Sequence, residues 1–217
     1  MINTYFIDTN VGIAYTYFPD KYHPSVKEII DNTEKTLIWS SFTKYEFEMK
    51  FNEINGDIDD FFQEMYLVLI RNNVYSYDFF EKMVLRNTSD IGIDGHKKMK
   101  ILELIWNNDK FNSSFPQSLF SLIEELLACF SNEKNNFCDK MELFDCGKKN
   151  YENFQEILNE LKGIGVHKPD YIIVIDANVF SLTNPIIFLT CDERLYSKIS
   201  DNDFLNIQGF KLIEYAN

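Results

Sequence analysis

The chain has 217 residues, 45% of them hydrophobic and 16% aromatic, which is enough apolar material for a sizeable core in one domain. Its net charge of −13 argues against a surface wholly devoted to nucleic acid, because affinity for a phosphate backbone comes from lysine and arginine displacing counterions. A local basic rim is compatible with that balance. No segment approaches the roughly 18 uncharged apolar residues of a membrane span, and the first residues lack a basic region followed by an apolar stretch, so a cytoplasmic location is expected.

Hydrophobic periodicity sets out the elements in order. Tyr5-Phe6-Ile7 reads as a buried strand ending in Asp8-Thr9-Asn10, any of which is suited to cap a short helix over 11–18. A second helix, opening on Pro24, covers 24–30, and 36–39 is a second strand. Ser41 is the expected N-cap of the next helix, which carries Tyr45, Glu46, Phe51 and Ile54 and stops at Asn55-Gly56. The run from Asn55 to Asp60 lacks the alternating ligands of a calcium loop and reads as a polar turn and helix start.

The middle of the chain shows only helical patterns, over 60–71, 77–85, 97–106, 116–130, 139–144 and 151–161, with a polar break at 131–136. One domain over 1–217 with a helical insertion at about 57–162 is therefore expected. Its aromatic residues (Phe61, Phe62, Tyr66, Phe79, Phe80, Trp106 and Phe120) recur at helical spacing and read as core. Gly163-Ile164-Gly165 reads as a turn. The segment 170–180 is β-branched, yet its length and its place before the strand 186–189 favour a buried crossover helix. A short helix over 193–199 and an edge strand over 210–215 complete an α/β fold with a short, mostly parallel sheet.

Two strands thus end in carboxylates, at Asp8 and at Thr190-Cys191-Asp192. Ligands of parallel α/β sheets bind at the carboxyl ends of strands, so acids placed there would share one crevice and need a cation. The candidate set is Asp8, Glu46, Asp170 and Asp192, with Asp176 and Glu193 as alternates. An all-oxygen set suits a hard cation such as Mg²⁺ or Mn²⁺, held by a few carboxylates, waters and a substrate phosphate. Each acid also has a structural explanation as a helix cap, a first-turn residue or a solvated side chain, so the functional case rests on the set. The four cysteines, Cys129, Cys138, Cys146 and Cys191, make no Cys-x-x-Cys pair, and three histidines give no zinc spacing, so reduced packing thiols are expected. Motifs of zinc proteases, serine hydrolases and P-loop enzymes are absent.

Taken together, Asp8-Thr9-Asn10, Ser41 followed by Glu46, Asp170 at a helix start and Thr190-Cys191-Asp192 resemble, in order, the motifs of the PIN-domain family of metal-dependent nucleases. The resemblance covers roughly residues 4–55 and 165–217, about half the chain. It implies a PIN-like three-layer α/β/α fold and Mg²⁺- or Mn²⁺-dependent hydrolysis of phosphodiester bonds, usually in RNA, sometimes as the toxin of a toxin-antitoxin pair with a protein antitoxin as partner. The helical middle is a larger insertion than the family pattern supplies, and the longer stretch before Asp192 leaves Asp176 as an alternative register.

On this reading the four acids hold the metal and carry catalysis, while Thr9, Asn10 and Thr190 position them or the scissile phosphate. Lys97, Lys98 and Lys100, Lys148 and Lys149, and Lys162, His167 and Lys168 are the expected phosphate contacts. The rival expectation is a non-catalytic binding module acting through its helical middle. A phosphatase on a related scaffold is disfavoured by Asp-Thr-Asn where a phosphoaspartate mechanism favours Asp-x-Asp.

Overall fold

The computed structural model describes residues 2–145 and 154–215. In order the chain forms β1 (Thr4–Ile7), α1 (Thr9–Thr16), α2 (His23–Asn32), β2 (Thr36–Ser40), α3 (Ser41–Arg71), α4 (Tyr77–Asn87), α5 (Gly95–Trp106), α6 (Ser118–Lys140), β3 (Met141–Phe144), α7 (Gln155–Gly163), α8 (Asp170–Ser181), β4 (Ile187–Thr190), α9 (Glu193–Ile199) and β5 (Gly209–Leu212). The expected helix 151–161 begins partly outside the described residues, as do Cys146, Lys148 and Lys149.

The five strands form one parallel sheet in the order β3-β2-β1-β4-β5. Parallel neighbours require crossovers, and the helices supply them. The chain first moves outward from β1 through β2 to β3, then returns to the other side of β1 to lay down β4 and β5. The reversal falls between β1 and β4, where Tyr5 is in register with Ile187 and Ile7 with Leu189. A crevice opens at the carboxyl ends of strands flanking such a reversal.

Alternation along the strands sends side chains to opposite faces. Tyr5, Ile7, Leu37, Trp39 and Leu189 join one buried cluster with residues of α1 to α6, while Phe6, Ile38 and Phe188 join another with residues of α7, α8 and α9. Helices therefore cover both faces, as in a three-layer α/β/α arrangement. Phe137 ties the larger layer together, with its ring 5.2 Å from Tyr15 and 5.6 Å from both Trp39 and Phe47.

Four local expectations are corrected. The helix expected to stop at Asn55-Gly56 and restart at 60 is one element, α3, because Phe47, Phe51, Ile58, Phe61, Met65 and Val68 continue a single buried stripe past the glycine. The ~1 kcal/mol helix penalty of a glycine is small beside that burial. The polar run 131–136 likewise does not end α6, since Phe130 and Phe137, two turns apart, are both fully buried on one face. Residues 141–144, read as helix, form β3 and pair with β2, so a sheet strand lies within the expected helical insertion. The N-cap of α3 is Ser40, whose Oγ accepts from the Thr43 amide at 3.1 Å, and not Ser41.

Helix α8 is the crossover expected in place of a β-branched strand, buried on most faces. Of the insertion's aromatic residues, Phe61, Phe62 and Phe80 are core, whereas Phe79 and Phe120 are exposed. Cys129, Cys138 and Cys191 are free thiols. Among the described residues no helix is long and apolar enough to cross a membrane.

Candidate metal centre

Asp8 leaves β1 with extended backbone and caps α1, its Oδ1 accepting from the Thr9 amide at 2.7 Å. Its own amide donates to Leu189 O at 3.0 Å, so the carboxylate is fixed to the end of β4 as well as β1. Thr190, the last residue of β4, donates from Oγ1 to Asp8 Oδ2 at 2.7 Å, and Asn10 Nδ2 donates to the same oxygen at 2.8 Å. Asn10 Oδ1 in turn accepts from the Cys191 amide at 2.9 Å. The Asp192 amide donates to Thr190 Oγ1 at 3.0 Å, while Asp192 Oδ1 caps α9 by accepting from Arg194 and Leu195.

Glu46 joins from α3. Thr9 Oγ1 donates to Glu46 Oε2 at 2.6 Å, so one residue beside Asp8 holds a carboxylate 37 positions further along the chain. The other Glu46 oxygen is paired with Lys50 at 2.8 Å. Residues 8, 9, 10, 46, 190 and 192 thus form one hydrogen-bonded network at the carboxyl ends of β1 and β4.

Asp170 opens α8 and completes the group through its field. Burial pushes the Asp8 carboxyl up to about 7 against the hydrogen bond from Thr190, and the charges of Asp170 and Glu46 push it further. Asp170 is itself raised, first by burial and then by Asp192 and Glu46, while Lys50 and Lys198 pull it back. Glu46 and Asp170 thus bear on Asp8, and Asp192 and Glu46 on Asp170.

The donors are all oxygen, and their mutual repulsion is the kind a divalent ion relieves, so the residues fit a hard cation by chemistry. Their spacing is wider than a closed cage: among the described residues no three His, Cys, Asp or Glu side chains are arranged to hold a metal directly. Asp176 is buried in α8 roughly 9 Å along the axis from Asp170 and about 120° around it. Glu193 is exposed and lines a small cavity with Tyr22 and Tyr215 instead.

Two cations here were not singled out from sequence. Lys50 carries a readable signal, the i,i+4 spacing from Glu46 on one helix face. Lys198, held by a bond from Nζ to Gly165 O at 2.6 Å, has none. The expected phosphate contacts are scattered. Lys98 is buried and donates to Thr88 O and Ile91 O at 2.5 and 2.9 Å, with its pKa lowered by burial, so it ties a loop and presents no ammonium to a phosphate. Lys97 pairs with Asp20 at 2.8 Å, Lys162 lies over the Tyr171 ring, and His167 and Lys168 are exposed just before Asp170.

No protein-family model, curated protein or solved structure matches this chain, so the chemistry of the site rests on its own geometry.

Proposed function

We propose that the chain is a Mg²⁺- or Mn²⁺-dependent nuclease of PIN-like fold that hydrolyses phosphodiester bonds, with RNA as the substrate class. The observation that carries this reading is the network in which Thr9, Asn10 and Thr190 draw Asp8, Glu46 and Asp192 to the strand ends at the sheet's reversal point. Gathering buried like charges is unfavourable, Lys50 offsets only the one at Glu46, and structural capping gives no reason to bring Glu46 there.

Asp8, Glu46, Asp170 and Asp192 would hold the cation. When bound, a divalent ion of this kind polarises a phosphoryl oxygen and makes a carried water more acidic. The chain's own residues orient that chemistry. Thr190 and Asn10 fix one oxygen of Asp8, Thr9 fixes Glu46, and the caps on Asp8 and Asp192 lock both carboxylates to helix starts. Lys50 and Lys198 supply positive charge beside Asp170 to offset a phosphate's approach.

Titration calorimetry with Mn²⁺ and cleavage of single-stranded RNA test the reading together. Wild type is expected to bind Mn²⁺ and cleave, and Asp192→Asn to lose both while remaining folded. A non-catalytic module is the second reading, favoured by the lack of a closed three-ligand group among the described residues and by the capping roles of Asp8 and Asp192. Absence of Mn²⁺ binding to wild type would decide for it.

A further inference from the structure

Beside the acids lies a cleft of different chemistry. Asp20 lines a cavity of about 770 Å³ with Lys21, Tyr22, Lys97, Lys100 and Tyr215. A smaller cavity of about 280 Å³ shares Tyr22 and Tyr215 and is walled by Glu214 and by Glu193, the residue after Asp192. Through the two tyrosines the cavities run from the start of α9 to the first turns of α5.

The larger cavity carries Lys21, Lys97 and Lys100 against Asp20 and Asp94. The Tyr22 and Tyr215 rings meet edge to face at 5.6 Å, and Lys21 Nζ lies 4.9 Å from one centroid and 4.5 Å from the other. Tyr215 is 48% exposed, so ring surface remains available. Lys97 is committed to Asp20, and Asp94 accepts from the His96 amide, but among the described residues Lys21 and Lys100 make no ion pair. Accessible aromatic surface beside ammonium groups that make no ion pair is the combination that binds unpaired bases and their phosphates. A duplex keeps its base faces stacked inside and would use only the charges.

We infer that this tyrosine-lysine cleft is a subsite for a single-stranded nucleic-acid segment, with Tyr215 stacking on a base and Lys21 and Lys100 neutralising phosphates. The inference rests on the nuclease reading and extends it from the reacting phosphate to the strand beside it.

The test is fluorescence anisotropy of a labelled oligouridylate of about 12 nucleotides, a length within the usual single-strand site range, with the full chain in chelator. Wild type is expected to bind, Tyr215→Ala to weaken binding about tenfold, and Tyr215→Phe to keep it. Lys100→Gln is expected to weaken binding and reduce the salt slope by about one. Melting midpoints equal to wild type show that the variants are folded, as the exposure of Tyr215 leads one to expect. No binding by wild type, wild-type affinity in both Tyr215→Ala and Lys100→Gln, or equal affinity for a blunt duplex or a polyglutamate peptide would each overturn the inference. The two readings fail separately: lack of Mn²⁺-dependent cleavage removes the nuclease assignment, whereas indifference of chelated binding to Tyr215 and Lys100 removes the cleft.

Discussion

Asp8 should make stability respond to pH in a direction opposite to that of most carboxylates, and Asp8→Asn should abolish that response. In the fold this carboxyl is raised from 3.8 to about 7, chiefly by burial, so between those values the folded protein binds a proton that the unfolded chain releases. Stability conferred by the protonated form is fully present below 3.8 and is lost as pH rises through about 7. At about 1.4 kcal/mol per pH unit, the whole displacement is on the order of 4 kcal/mol, and the part between pH 5.5 and 8 is about 2 kcal/mol. Asparagine removes this dependence. Whichever way its amide turns, the new NH₂ also faces a donor, Asn10 Nδ2 at one oxygen's place or the Thr9 amide at the other's; that conflict costs about 1–3 kcal/mol at every pH. The difference between variant and wild type should therefore swing by about 2 kcal/mol in favour of the variant from pH 5.5 to 8, whatever the fixed loss. Urea unfolding in chelator, followed by fluorescence of buried Trp39, measures it. Added Mn²⁺ at pH 8 should stabilise wild type by about 2.7 kcal/mol at a hundredfold excess over its dissociation constant, and the variant far less. A pH-independent difference between the two proteins would refute the electrostatic account of Asp8.

Thr190→Val removes a fully buried hydroxyl that donates to Asp8 and accepts from the Asp192 amide; a loss of about 2–3 kcal/mol is expected in urea unfolding, together with weaker Mn²⁺ binding. Gly12→Ala would place its Cβ 2.8 Å from Phe137 Cε1 and 2.9 Å from Phe47 Cδ2, so a drop of about 1–3 kcal/mol from overpacking should appear in thermal melts. Lys98→Met strands two backbone carbonyls and should destabilise by about 2 kcal/mol, while the salt slope of oligonucleotide binding stays at its wild-type value; a shallower slope would restore Lys98 as a phosphate contact.

The expectations that matched the structure share a local cause. The strand end at Ile7, the end of β4 to within one residue of the expected Leu189, the start of α8 at Asp170 and the span of α9 follow from apolar runs bounded by capping residues, so neighbours in sequence decide them. The misjudged stretches are those where a distant contact overrides local preference. Gly56 and the polar run 131–136 look like helix ends, yet α3 and α6 continue because buried residues on either side share one face. Met141–Phe144 reads as the end of a helical pattern, and only pairing with β2 makes it a strand.

Which residue types gather at the candidate centre was written in the chain, because carboxylates at strand and helix starts announce themselves by position. Their mutual arrangement was not. The bond from Thr9 to Glu46, the burial of Lys98 and the meeting of Lys21, Tyr22 and Tyr215 depend on the sheet's reversal between β1 and β4 and on helices packed over it. Contacts across long sequence separations are selected by the folded whole, since no short segment carries the energy that chooses among them.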